Sequence, residues 1–331
     1  MPEKVFVVGT GRCGTHTIQH LLGRVPGTLA LHEGRGELSG RNIDVGDMKA
    51  LNIYLYFVRC EVEARKELHE LRGEPQAITE KCFDKRRKLI TRCVSNDLHF
   101  VDVNRMGYNA IDYISSTYPN AKFIHLVRNG YDCVRSWYRR LSAYNDWFTI
   151  LDKHNPLKKK LEIAVHNLKR YVRSRKEFWA DLQVLLRRRG GGSMSAEDVR
   201  LMNRNNQLMY SLEKPRPLRE DTQADGWSGF NRLQKLSWFW QHVNEKIQNR
   251  LASRVSQNCS HVFRIEDLNR ENLGELCAFA GLEVPPNPTF RRHDKSETLS
   301  ELWSARNVKA FNEIAGESME RFGYEKVQPQ I

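Results

Sequence analysis

A glycine-rich turn near the N terminus carries the first chemistry. Gly9-Thr10-Gly11-Arg12-Cys13-Gly14-Thr15-His16-Thr17 follows the apolar run Val5-Phe6-Val7-Val8 and opens a stretch with helical spacing. Glycines let consecutive backbone N–H groups converge on an anion, and a helix N terminus adds partial positive charge. The turn therefore reads as a phosphate site, against the blander reading of a plain strand-to-helix connection. Two motifs overlap on it. Gly9, Gly11 and Gly14 satisfy the GxGxxG dinucleotide fingerprint, and Glu33 lies about 20 residues beyond, where a ribose-binding acid would sit. Gly9 and Gly14 also bracket the four residues of a P-loop, but Thr15-His16 follows where that loop has Lys-Ser or Lys-Thr. The lysine that serves the outer phosphates and the hydroxyl that holds magnesium are displaced. This argues against an ordinary ATPase or GTPase and fits a ligand that needs no metal, with Arg12 as the cation.

A second candidate anion site lies near the middle of the chain. Phe123-Ile124-His125-Leu126-Val127 reads as a strand ending in Arg128-Asn129-Gly130-Tyr131-Asp132-Cys133-Val134-Arg135-Ser136. An arginine at the C-terminal edge of such a strand points into the crevice where open α/β sheets bind ligands. Ser136 falls on the early turns of the next helix, and Arg128 and Ser136 together make a charged, hydrogen-bonding grip on one phosphate. The competing reading pairs Arg128 with Asp132 and leaves Ser136 exposed.

The elements that would hold these groups alternate along the chain. Short apolar runs at 4–8, 29–31, 100–103 and 122–127 read as strands. Helical spacing follows at Thr15–Leu22, at Gly107–Tyr118 before Pro119, and at Tyr131–Tyr144, with a further charged helical pattern at 47–72. Such alternation predicts an α/β fold: a P-loop-like, three-layer arrangement with a central parallel sheet and helices on both faces. Residues 145–186 are helical and very basic, 187–195 and 214–229 read as flexible loops, and a short helical piece lies near 196–212. The region 145–230 is thus expected to be a basic helical insertion or lid within a single domain spanning 1–331. Helices at 233–251, 271–280 and 307–322 and a strand at 261–265 complete the reading.

Composition sets the outer limits. The chain has 331 residues, 40% of them hydrophobic and 10% aromatic, which suits a packed core, and a net charge of +13, which suggests an anionic partner. The basic runs Lys85–Lys88, Lys158–Lys160 and Arg187–Arg189 are expected on solvated helix faces. Seven cysteines without a CxxC pair argue for reduced thiols rather than a disulfide framework or zinc site, with Cys82 and Cys93 the pair to watch. No stretch approaches the ~20 apolar residues of a membrane span. The first residues run into a strand rather than a signal peptide. A cytoplasmic protein with no membrane segment is expected, although a chain trimmed of an anchor would read the same way.

The paired motifs resemble the nucleotide-dependent sulfotransferase superfamily. Its first signature, a strand followed by a loop of the type Pro-Lys/Arg-Ser-Gly-Thr-Thr, reads here Gly11-Arg12-Cys13-Gly14-Thr15-His16. Its second reads Arg128-Asn129-Gly130, Asp132 and Ser136, with the family's eight-residue step from arginine to serine. Val262–Leu268, with Glu266-Asp267-Leu268, resembles the family's strand ending in Glu-Asp-Leu, and Ala280–Leu282 and Glu320–Tyr324 resemble its later helices. Gly11, Cys13, His16 and Gly130 depart from the common Pro, Ser, Thr and Pro. The C-terminal Arg-Lys-Gly segment of the cytosolic branch is missing, with Arg291-Arg292-His293 as a loose substitute. The chain looks closer to the carbohydrate, tyrosyl-protein and bacterial branches than to the phenol and steroid branch.

The resemblance implies 3'-phosphoadenosine 5'-phosphosulfate (PAPS) as sulfuryl donor and a hydroxyl on a glycan, peptide or small molecule as acceptor. It implies that Arg12 and the N–H groups of 11–16 hold the 5'-phosphosulfate, with hydroxyls from Thr15 and Thr17, and that Arg128 and Ser136 hold the 3'-phosphate. No metal is expected. The acceptor hydroxyl needs a base. Leu31-His32-Glu33-Gly34 ends the second strand at the same crevice, so Glu33 is the first candidate and His32 the second, ahead of His16 and Asp102. Glu33 would otherwise cap or pair with a neighbour such as Arg35. Two rival readings stay open. An NAD(P)-dependent oxidoreductase would use Gly9, Gly11, Gly14 and Glu33 but leave Arg128 and Ser136 without a role. A non-enzymatic module would bind nucleic acid or sulfated glycan through 153–189, where Tyr171, Phe178 and Trp179 interleave with basic residues. Such a module would not need two separate phosphate sites, and no dedicated nucleic-acid partner is expected.

Overall fold

The computed structural model describes residues 1–32, 35–43, 87–105, 107–139, 225–290 and 302–327, together with Pro217 and Gln223. The chain forms two compact units, Met1–Ser136 with Ser237–Ile331, and Trp137–Leu236. Within the second unit, the Arg232 guanidinium lies 4.6 Å from the centre of the Tyr138 ring and donates to the Trp137 carbonyl at 3.3 Å. Burial pushes that guanidinium down to about 10. Of the basic insertion expected at 145–230, Pro217, Gln223 and 225–230 are described, with a 3₁₀ turn at Trp227–Gly229 inside the loop expected at 214–229. The rest lies outside the described residues, as do the helical pattern at 47–72 and Cys82.

The first unit is built on seven strands: β1 Lys4–Gly9, β2 Thr28–His32, β3 Arg35–Leu38, β4 Arg41–Ile43, β5 His99–Val103, β6 Lys122–Val127 and β7 Ser260–Arg264. Their order is β4-β3-β2-β5-β1-β6-β7. β2, β5, β1, β6 and β7 run parallel, with Phe6 opposite both Asp102 and Phe123. The helices are α1 Thr15–Gly23, α2 at 87–95, α3 Ile111–Thr117, α4 Gly130–Arg139, α5 Arg232–Arg254, α6 Arg270–Ala280 and α7 Ala305–Arg321. From β1 the chain crosses by α1 to β2 on one side, and from β5 by α3 to β6 on the other. Right-handed crossovers in opposite directions place α1 and α3 on opposite faces. The strand order reverses at β1, and open α/β sheets bind their ligands beyond the C-terminal ends of the strands at such a point.

β1 and β6 are apolar over most of their length, His125 apart, because a strand covered on both faces has no solvent side; Lys4 and Lys122 stand at their first positions. Phe6, Phe100 and Phe123 are at most 2% exposed, and the Phe6 ring lies 6.1 Å from Phe100 and 5.6 Å from Phe123. The antiparallel pair β3–β4 was not expected from the sequence. Its two-residue turn, Ser39-Gly40, has φ of 47° and 82°, the left-handed pair that a tight hairpin requires. β3 is anchored to α1: the buried Glu37 carboxylate accepts from Gln19 Nε2 at 3.3 Å and stands 3.1 Å from His20 Nδ1. The helix expected from Gly107 begins as a 3₁₀ turn, Gly107–Ala110.

α5 is fixed to the sheet by a buried polar contact. Asn244 Nδ2 donates to the Trp240 carbonyl at 3.0 Å, which leaves its Oδ1 to accept from His125 Nε2–H, also at 3.0 Å. Burial holds His125 down at about 4. The unfolded chain therefore takes up a proton near the ordinary pKa of about 6.5 that the native state refuses until much lower pH. Stability is full above the unfolded value and falls as pH drops below it. For His125 alone the expected loss is about 2 kcal/mol between pH 7.5 and pH 5. Urea midpoints at the two pH values should show this slope, and His125→Gln, though less stable overall, should be less sensitive to acid by that amount.

Candidate functional site

The glycine turn sits at the C-terminal end of β1 with an unusual backbone. Gly11, Arg12 and Gly14 have φ of 78°, 58° and 89°. A left-handed arginine is strained and persists only where its surroundings dictate it. Gly9 is required by close packing: a Cβ there would lie 2.5 Å from the Leu126 carbonyl oxygen and 2.7 Å from Cys13 Sγ. Gly14 caps α1 without any side-chain bond, and the first turn holds no acidic residue. The N–H groups of Thr15, His16 and Thr17 thus have no acceptor within the helix. Cys13 points down into the core, where burial pushes its thiol up to about 11, and Cys133 is likewise raised by burial. Neither is a nucleophile; both pack beneath the turn.

The two expected anion grips meet. Arg128 Nη1 donates to the Arg12 carbonyl at 3.1 Å, so the guanidinium faces the glycine turn. Arg12 Nε donates to Ser136 Oγ at 2.9 Å. Asp132 binds Arg135 at 2.6 Å and reaches Arg128 only at 3.7 Å, so the Arg128–Asp132 pairing weighed from sequence is present but is the looser contact. Arg12, expected to help hold the 5'-phosphosulfate, is thus bonded to the serine of the second grip.

Gly130 at the start of α4 explains one departure from the family signature. Its N–H donates to Met319 Sδ at 3.2 Å, and a Cβ would stand 2.7 Å from Phe311 Cζ, 2.9 Å from Met319 Sδ and 3.2 Å from Trp240 Cδ2. A proline would lose the bond and meet all three.

Of the candidate bases, His32 closes on the turn: its Nε2 lies 3.0 Å from Thr15 Oγ1, and the His16 ring stands edge-on to it at 5.7 Å. Asp102 is buried at 2% exposure, opposite Leu31 and Phe6 in the sheet. Glu33, Gly34 and the 291–293 segment lie outside the described residues. Sequence reasoning missed Arg105, whose Cδ would be 3.0 Å from a Cβ on Gly11. It follows β5 at the C-terminal edge of the sheet, and the rule that selects Arg128 would have found it. A cavity of about 470 Å³ lined by His261, Arg264, Glu275 and Arg321, among others, shares no residue with this cluster.

A doubly wound α/β sheet with a glycine turn after β1, and arginines following three neighbouring strands, is a P-loop-like fold. The family model described as "Sulfotransferase family" matches residues 2–189, more than half of the chain. The chain belongs to that family. A search of curated proteins finds no match. Among the described residues no helix is long and apolar enough to cross a membrane.

Proposed function

We propose that this sulfotransferase takes its sulfuryl group from PAPS and passes it in line to an acceptor hydroxyl. The observation that carries the reading is the junction of two distant segments, Arg128 on the Arg12 carbonyl and Arg12 on Ser136. One anion-binding turn would serve any phosphate; two joined grips suit a nucleotide with phosphates at both ends. The N–H groups of Gly11 to Thr17 and the Thr15 and Thr17 hydroxyls hold the 5'-phosphosulfate. Arg128 and Ser136 hold the 3'-phosphate, Arg12 stands between the two, and Arg105 adds a cation beside Gly11. In the transfer step the acceptor oxygen gives its proton to the base and bonds to sulfur. The bond from sulfur to the bridging oxygen breaks, and adenosine 3',5'-bisphosphate leaves with the charge. Fixed donors around that charge do most of the work. Glu33 is the first candidate base and His32, beside Thr15, the second. The basic insertion favours an acidic or large acceptor, a glycan or peptide, and a soluble cytoplasmic setting suits the donor.

Calorimetry with adenosine 3',5'-bisphosphate tests the donor, and an acceptor screen by mass shift tests transfer. Tight binding of the bisphosphate is expected. Binding of nicotinamide dinucleotide with no affinity for the bisphosphate would overturn the reading. Glu33→Gln and His32→Gln then separate the two bases: the variant lacking the true base should lose about 10²–10⁴ in turnover while keeping donor affinity. Full activity in either variant removes that residue from the role.

A further inference from the structure

Donor recognition by Arg128 depends on the direction of one peptide group, the one that joins Arg128 to Asn129. Both of its polar atoms are held. Its carbonyl accepts from Trp240 Nε1 at 3.0 Å, and its N–H donates to Glu266 Oε1 at 2.9 Å. Glu266 follows β7, in the 3₁₀ turn Ile265–Asp267. Its other oxygen accepts from the Tyr324 hydroxyl at 2.8 Å. Tyr324 is itself clamped. The Arg264 guanidinium lies 5.5 Å from the centre of its ring and donates to the preceding Gly323 carbonyl at 2.6 Å. Arg264 is held in turn by two bonds to Asp267, at 2.7 and 3.1 Å. Burial, then the charge of Glu266, raise the Tyr324 phenol, so it remains a donor.

A main-chain N–H and a phenol O–H are both donors, and a carboxylate, which accepts on both oxygens, is the side chain that matches them. An amide would have to present its NH₂ to one of the two, and Tyr324 can adapt by turning its hydroxyl. On the other side of the turn, Asn129 Oδ1 accepts from Tyr131 N at 3.0 Å and starts α4, the helix that brings Ser136 to Arg12. One residue from the C-terminal half thus fixes the turn from which both members of the second grip project.

We propose that Glu266, with Tyr324 behind it, is the positioning residue for 3'-phosphate recognition, acting through the Arg128–Asn129 peptide and not by touching the donor. The proposal rests on the donor reading above.

The test uses the full chain and two probes, adenosine 3',5'-bisphosphate and adenosine 5'-monophosphate, which differ only in the 3'-phosphate. The ratio of their dissociation constants isolates the second grip. The unaltered protein should favour the bisphosphate on the order of 10–100-fold, the range of hydrogen bonds to a charged group. Glu266→Ala should bring the ratio close to that of Arg128→Ala while weakening 5'-monophosphate binding far less than bisphosphate binding, and the double variant should be no worse than Arg128→Ala. Glu266→Gln should restore most of the preference. Tyr324→Phe, which removes one oxygen and keeps the ring, should lower the ratio a few-fold and covers the case in which Glu266→Ala does not fold. An unchanged ratio in both Glu266→Ala and Tyr324→Phe, or an equal loss for both probes, overturns the positioning role. If the unaltered protein shows no preference for the bisphosphate, the donor reading fails first and the proposal falls with it.

Discussion

Arg128→Ala should lower transfer from PAPS by about 10–100-fold, the range of a hydrogen bond to a charged group. Most of the loss is expected in the KM for the donor, because the 3'-phosphate does not react and its binding serves ground state and transition state alike. Part should also appear in kcat. Arg128 Nη1 holds the Arg12 carbonyl, and Arg12 is left-handed at φ 58°. Without that bond the turn under the 5'-phosphosulfate loses a support. Arg128→Lys should recover little, since an ammonium cannot hold the carbonyl and present a second fixed donor to a phosphate as a planar guanidinium does. Steady-state kinetics with varied donor and saturating acceptor read both parameters. An unchanged donor KM in Arg128→Ala would remove this residue from donor binding.

Much of the sheet was legible because buried parallel strands write themselves as largely apolar runs. Lys122–Val127 matches β6 end to end, and 4–8 falls one residue short of β1. The hairpin β3–β4 was missed because its strands are four and three residues long and polar, Arg-Gly-Glu-Leu and Arg-Asn-Ile. The Ser39-Gly40 turn was the readable signal. At the site, Arg128 and Ser136 could be found from the strand edge and helix step, which are local. The tie between Glu266 and Asn129 joins residues 137 positions apart, and such a pair has no local signature. Gly130 appeared only as a departure from a family proline. Its reason lies in Phe311, Met319 and Trp240, all distant in the chain. The lean of Arg12 toward Ser136 depends on φ at a single non-glycine residue, which side-chain chemistry does not announce.

The second large effect is expected at Gly14, where conformation and space coincide. Its φ is +89°, so any L side chain is strained, at about 1–2 kcal/mol. A Cβ would also stand 2.5 Å from Ile265 Cγ1 and 2.7 Å from its Cδ1. Such overpacking costs about 1–3 kcal/mol more. Ile265 immediately precedes Glu266, so the displacement is passed toward the Arg128–Asn129 peptide, and one methyl group disturbs both grips. Gly14→Ala should therefore lose roughly 2–5 kcal/mol of stability and most of its affinity for adenosine 3',5'-bisphosphate. Gly27 supplies the control. It has φ +67°, but nothing lies within 4 Å of its added Cβ. Gly27→Ala should pay the backbone strain alone, about 1–2 kcal/mol, with donor affinity intact. The two contributions at Gly14 separate with a second substitution. Ile265→Ala removes both colliding atoms, so in that background Gly14→Ala should cost little more than Gly27→Ala, with a coupling of about 1–3 kcal/mol in chemical denaturation. If the costs simply add, the collision is absent and strain at φ +89° accounts for the whole effect.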